Sequence, residues 1–217
     1  PFYRKFKDYG DGLFDKYFFP FGLIHDPNLK KSEVYGYLQK SWKELGEPEA
    51  IVELLASYQD DFIDISEGSN HCGHTKKIHQ QFGRLRQANM PSSTYPFLMQ
   101  LSKALRDGNV VEKVGLEILE LIEAFLVRRA LCGIEPTGLH AVFKRLWSDC
   151  DSVTVKGIEE AIKKHKTVTW PTDDDVLNSV KSRPLYGSGV TNYFLLEYDR
   201  SLGGDQPSDV PWVEHIL

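Results

Sequence analysis

Apolar residues recur at three- and four-residue intervals through most of the chain, and this spacing predicts helices. The longest such stretch is Glu112–Gly133, EKVGLEILELIEAFLVRRALCG. Ile118, Ile122, Phe125, Leu126 and Arg129 mark one face of it, and Val114, Leu121 and Leu131 widen that face to most of the circumference. A helix apolar nearly all round belongs inside a bundle, with neighbours on several sides. Glu117, Glu120 and Glu123 interrupt the run of about 18 to 20 apolar residues that a membrane span needs. Acids crowd the first half and Arg128 and Arg129 occupy the last turns, matching the helix dipole. Gly133 supplies the stop, and Pro136 forbids early resumption. The expected fold is all-α, a multi-helix bundle around this central buried helix at about residues 112–132.

The flanking segments fit that architecture. Val34, Tyr37, Leu38, Trp42 and Leu45 give a buried face to a helix that Ser32 opens and Gly46 and Pro48 end. One continuous helix is expected from Pro48 to Ile65, with Ile51, Leu54, Leu55, Tyr58, Phe62 and Ile65 on its inner side. Asp60, Asp61 and Asp64 lie close together there; a solvated face is their default reading and a carboxylate metal site, for which no partner cluster is evident, the alternative. Further helices are expected over 76–89, Ser93–Asp107, Thr137–Cys150 and Val153–Lys166. Thr172 and Asp175 form a capping box ahead of Val176, Leu177 and Val180. Gly187-Ser188-Gly189 then leads into a last helix, Thr191–Leu202. Residues 1–30 combine many aromatics with Gly10, Gly12, Pro20 and Gly22, which suggests an irregular docking or linker segment with one short helix. The chain thus divides into 1–30, a helical bundle over 31–202, and a terminal linker over 203–217.

With 217 residues, 41% of them hydrophobic, the chain can bury a sizeable core. A net charge of −5 argues against a free-standing nucleic-acid-binding module, while leaving room for a DNA-acting enzyme whose basic surface lies elsewhere. Three cysteines without framework spacing indicate a reducing, cytoplasmic setting. His71, Cys72, His74 and His79 are all metal-competent, but adjacent ligands at 71 and 72 suit one tetrahedron poorly. An exposed inter-helix loop is therefore the expectation there, and a metal staple the alternative. Arg128 and Arg129, with His140 and Lys144 nearby in sequence, offer a basic rim, although arginines at a helix end commonly hold acids or carbonyls. No P-loop, nucleotide-type glycine fingerprint, G-x-S-x-G elbow or H-E-x-x-H occurs.

Three spaced segments carry a family resemblance. LIEAFLVRRALCGIEPTGLHAVFKRL resembles the helix ending in V-R-R, cysteine-glycine turn and T-x-x-L helix of GmrSD-type modification-dependent restriction endonucleases. SRPLYGSGVTNYFLLEYDR resembles the later segment in which a tyrosine-containing turn leads into a helix, and WVEHIL resembles the opening of that family's HNH-like nuclease domain. The resemblance spans roughly residues 30–217. It implies a helical scaffold lying between an NTP-binding domain, whose D-G-Q-Q-R-like loop is not in this sequence, and the nuclease domain. His215 would be the general base toward water, with Glu214 a neighbour that orients it. The intact protein would use NTP and a divalent metal, Mg²⁺ or Mn²⁺, to cut modified phage DNA. The metal-holding residues would follow Leu217, so this stretch alone is expected to hold no cofactor and to be inactive. Arg128 and Arg129 are the candidates for contacting DNA or an adjoining domain. The rival reading is a stand-alone helical protein–protein interaction module.

Overall fold

A computed structural model describes residues 2–10 and 12–203. His215 and Glu214 lie outside the described residues. At the centre is the longest helix, α8, which follows α1 (Phe2–Lys7), α2 (Leu13–His25), α3 (Val34–Leu45), α4 (Pro48–Ala56), α5 (Gln59–Glu67), α6 (Lys76–Gln87) and α7 (Tyr95–Arg106). Helix α8 itself covers Glu112–Leu131 and is succeeded by α9 (Leu139–Phe143), α10 (Leu146–Asp149), α11 (Val155–Lys164), α12 (Asp173–Ser182) and α13 (Thr191–Ser201). The fold is an all-α bundle, with no strand among the described residues. No helix among them is long and apolar enough to cross a membrane.

Helix α8 packs against α6, α7, α11 and α12, as a nearly all-apolar helix must. Ile118, Leu119, Ile122 and Phe125 are wholly buried along it. Its end is a Schellman stop: Gly133 is left-handed at φ +64°, its amide donates to the Ala130 carbonyl, and the Ile134 amide reaches back to Arg129 O at 2.9 Å. The centre is shared, however. Helix α7 touches α2, α5, α8, α9 and α10, and Phe97, Leu98, Met99 and Leu101 are fully buried. A lone glycine brings the two central helices close, because a Cβ on Gly115 would stand 2.4 Å from the Leu105 side chain.

Three expected elements differ from what the chain forms. The aromatic segment 1–30 is mostly helical and belongs to the core. Leu13, Tyr17 and Phe21 recur every four residues on α2 and are buried with Phe6, so aromatic spacing outweighs the interior Pro20. The helix expected over Pro48–Ile65 breaks at Ser57-Tyr58. Its freed carbonyls are satisfied from a distance, by Tyr17 Oη on Leu55 O at 2.6 Å and by Arg106 on Ser57 O at 3.3 Å. The stretch Thr137–Cys150 likewise splits into α9 and α10, and left-handed Gly138 rather than Thr137 precedes the first turn. The Thr172–Asp175 capping box forms as expected, with Thr172 N donating to Asp175 Oδ2 at 2.9 Å and Asp175 N donating to Thr172 Oγ1 at 3.2 Å.

This packing places Ile122 at the heart of the core and Glu120 on its water side. Ile122→Ala should cost about 2–5 kcal/mol by urea unfolding, whereas Glu120→Ala should stay within about 0.5 kcal/mol of the parent. Equal effects from the two substitutions would contradict the orientation of α8.

Candidate functional site

Two polar constellations stand out from the apolar bundle. The first is built on Glu123, a carboxylate on α8 with only 9% of its surface exposed. Helix α6 supplies Gln81 and Arg84, one turn apart, and both donate to it. Arg84 does so as a fork, Nε to Oε2 at 3.0 Å and NH2 to Oε1 at 2.8 Å. Gln81 Nε2 also donates to Oε2, and Tyr193 Oη of α13 donates to Oε1. The remaining arm of Arg84 pairs with Glu197 at 2.7 Å, one turn beyond Tyr193. Burial works to raise the Glu123 carboxyl, but Arg84, Tyr193 and Gln81 together hold it below the ordinary carboxylate value. Burial and the facing carboxylate in turn push the Tyr193 phenol well up, so it stays a donor. The hub joins α6, α8 and α13.

Arginines continue this joint toward the end of α8. Arg129 is buried, with 3% exposure, and its terminal nitrogens donate to Thr169 O at 2.8 Å and Glu135 O at 2.9 Å. Its Nε has no hydrogen-bond partner among the described residues. Arg128 pairs with Asp173 and leans on Pro171 O at 3.4 Å, so the arginine pair fastens the strand of chain that leads into α12. Arg183 donates to Leu131 O at 2.9 Å and lies flat across Gly133, where any Cβ would meet the guanidinium at 2.0 Å. A cleft of about 430 Å³ opens beside these groups, lined by Asn89, Arg129, Glu135, Arg183 and Ser188 among others. The expected rim of Arg128 and Arg129 with His140 and Lys144 is not drawn together here: His140 stacks on Phe19 instead, 5.8 Å between ring centroids.

The second constellation lies at the other end of the bundle. Asp61 and Asp64, for which a solvated face was the default expectation, are buried on α5. Asp64 accepts the backbone amides of His71 and Cys72 at 2.8 Å each and so folds the 68–75 loop over the helix. Asn70 clasps His74 through both its amide and its carbonyl, at 2.8 and 2.9 Å, and Gly73 between Cys72 and His74 is left-handed at φ +68°. Both side chains then turn inward. Cys72 Sγ comes 3.5 Å from Asp61 Oδ1, and Ser102 Oγ bridges Asp61 Oδ1 and His74 Nε2 at 2.7 Å each. Arg106 takes the other Asp61 oxygen at 3.0 Å. Burial raises the Asp61 carboxyl and lowers His74, and it pushes the Cys72 thiol up together with the neighbouring aspartates. His71 instead meets Tyr9 Oη at 2.6 Å, and His79 stands outside the group.

From the sequence Glu123 is not singled out, and Asp61 is placed on a solvated face with a carboxylate metal site as the alternative. A signal existed for both: Glu123 falls four residues after Leu119 and Asp61 four before Ile65, each on a buried arc. Gln81 carried the same signal, three residues after Ile78 and four before Leu85, whereas the meeting of Arg84 and Tyr193 with Glu123 follows from helix placement.

Replacing Glu123 by Gln removes the charge that Arg84 and Tyr193 face and should cost about 2–3 kcal/mol at neutral pH. A carboxylate whose folded value is lowered stabilises above its unfolded value and loses that contribution as pH falls through the folded one. The stability gap between wild type and Glu123→Gln, from urea unfolding, should therefore be full at pH 7 and shrink below about pH 4. A gap independent of pH would contradict the charged hub. No protein-family model, curated protein or solved structure matches this chain.

Proposed function

We propose that this chain is the helical middle region of a GmrSD-type restriction endonuclease, the scaffold that links an NTP-sensing domain to an HNH-like nuclease. The observation that carries the reading is the order and spacing of three segments: 121–146 with its V-R-R helix end, 182–200, and WVEHIL at 212–217. The packing supports treating the first two as one unit. Arg183 from the second segment seals the helix end of the first at Leu131 and Gly133, and Tyr193 reaches back to Glu123. A V-R-R helix end and a distant S-R-P-L-Y turn then have a shared reason to occur together.

In the intact protein His215 takes the proton from the attacking water and Glu214 orients its ring. The divalent metal, Mg²⁺ or Mn²⁺, supplies charge neutralisation at the scissile phosphate. The substrate is foreign DNA bearing modified bases, met in the cytoplasm. Arg129 is enclosed by carbonyls, so of the arginine pair Arg128, about a third exposed and paired with Asp173, is the better placed to exchange its partner for an adjoining domain or a DNA backbone.

One observation also suits the rival, a helical interaction module without catalytic partners. Leu195, Tyr198 and Leu202 lie along one face of the last helix and its end, and are 42%, 58% and 69% exposed. Such an apolar stripe asks for a cover, whether the next domain of the same chain or a separate protein.

DNA cleavage by the intact protein separates the two. With modified phage DNA, Mg²⁺ or Mn²⁺ and NTP, the wild type should cut, and His215→Ala should be slower by on the order of 10²–10⁴-fold, as for loss of a general base. Equal cutting by both would remove His215 from the nuclease centre, and no cutting by either would favour the interaction module.

A further inference from the structure

The Asp61–Cys72–His74 group plays no part in the restriction reading and stands independently of it. We propose that these three side chains bind one divalent cation of the zinc class, clamping the 68–75 loop to α5. Their ligand atoms, a carboxylate oxygen, a thiol sulfur and an imidazole nitrogen, all lie within 4.8 Å of one another. Zinc bonds of about 2.3 Å to sulfur and about 2.1 Å to oxygen place tetrahedral ligand atoms roughly 3.6 Å apart. The Cys72 Sγ to Asp61 Oδ1 separation is 3.5 Å, so that edge needs almost no adjustment.

The donor set selects the metal. Sulfur and imidazole nitrogen suit zinc, and the single carboxylate with one thiolate is too soft and too sparse for calcium or magnesium. Three protein ligands leave the fourth position to water. Binding exchanges the Cys72 S–H bond for a metal–thiolate bond, and the proton leaves to solvent; nothing is oxidised or reduced.

The surroundings are those of a built site rather than a chance gathering. The loop is preset by Asp64 on two amides and by Asn70 on both backbone groups of His74, so little ordering remains for the metal to impose. Ser102 Oγ gathers Asp61 Oδ1 and His74 Nε2 at 2.7 Å each and so holds the two ligands together, and the incoming cation takes over its contact with Oδ1. Arg106 holds Oδ2 and leaves Oδ1 toward the thiol. Of the four residues that the H-C-x-H…H spacing offered, two belong to the site. Asp61, in the first turn of α5, replaces His71 and His79.

Cobalt serves as the probe, because a thiolate–cobalt bond absorbs in the near ultraviolet. Titrating the chelator-treated chain with Co²⁺ should raise this band to an end point at one equivalent, and one equivalent of Zn²⁺ should abolish it. The band should be lost in Cys72→Ser and in His74→Gln and survive in His79→Ala and Cys132→Ser. A second readout needs no variant: in the wild-type chain, one equivalent of Zn²⁺ should slow iodoacetamide labelling of Cys72 at least tenfold and leave Cys132 and Cys150 unchanged, as read by peptide mass. Absence of the band, its survival in Cys72→Ser, or unaltered labelling of Cys72 would each overturn the assignment.

Discussion

A carboxylate removed from water inside a helical bundle must be answered by donors, and here the answer organises the architecture around α8. Glu123 faces two donors from α6 and one from α13, and Arg84 then continues to Glu197. Leaving such a charge without partners costs several kcal/mol, so each of these helices is held to one register relative to α8. Apolar burial is non-directional, and beyond the close approach at Gly115 the hub adds a directional constraint on the register of α8. The hub also matters because the apolar cluster joining the C-terminal part to the bundle is small, centred on Leu131, Val190 and Tyr193. Polar groups at this joint therefore carry much of its specificity.

The same economy recurs where helices end. Schellman geometry at Gly133 leaves the Leu131 carbonyl for Arg183, and Arg129 gathers two further carbonyls from the loop beyond. Tyr17 and Arg106 do the equivalent service at the end of α4. In each case a long side chain from a distant element satisfies backbone groups that a cap would otherwise hold. Elements far apart in sequence are tied together by needs that are local to helix ends.

Legibility in the sequence followed the range of the interaction. The α8 span, its dipole-matched ends, the Gly133 stop and the Thr172–Asp175 box are set by residues within a few positions of one another, and could be read directly. The break at Ser57-Tyr58 could not, because no glycine or proline marks it and its carbonyls are satisfied by Tyr17 and Arg106. Helix α2 was obscured by Pro20 and Gly22, whose turn character outweighed the four-residue recurrence of Leu13, Tyr17 and Phe21. Of the candidate residues, Cys72 and His74 were visible as metal-competent, whereas Asp61 joined them only through the fold of the 68–75 loop. Arg128 and Arg129 were noticed as a pair, yet apart from the Glu135 carbonyl their partners lie some 40 residues on, at Thr169, Pro171 and Asp173.

Glu123 and Tyr193 act as a coupled pair that fastens the last helix to the central one. A double-mutant cycle with Glu123→Gln and Tyr193→Phe, followed by urea unfolding at neutral pH, measures that coupling with least ambiguity. The structure predicts an interaction energy of about 1 kcal/mol or more, in the range found for residues of one buried network. Strict additivity of the two substitutions would contradict it, and would leave the C-terminal helix held by apolar contact and the Arg84–Glu197 pair.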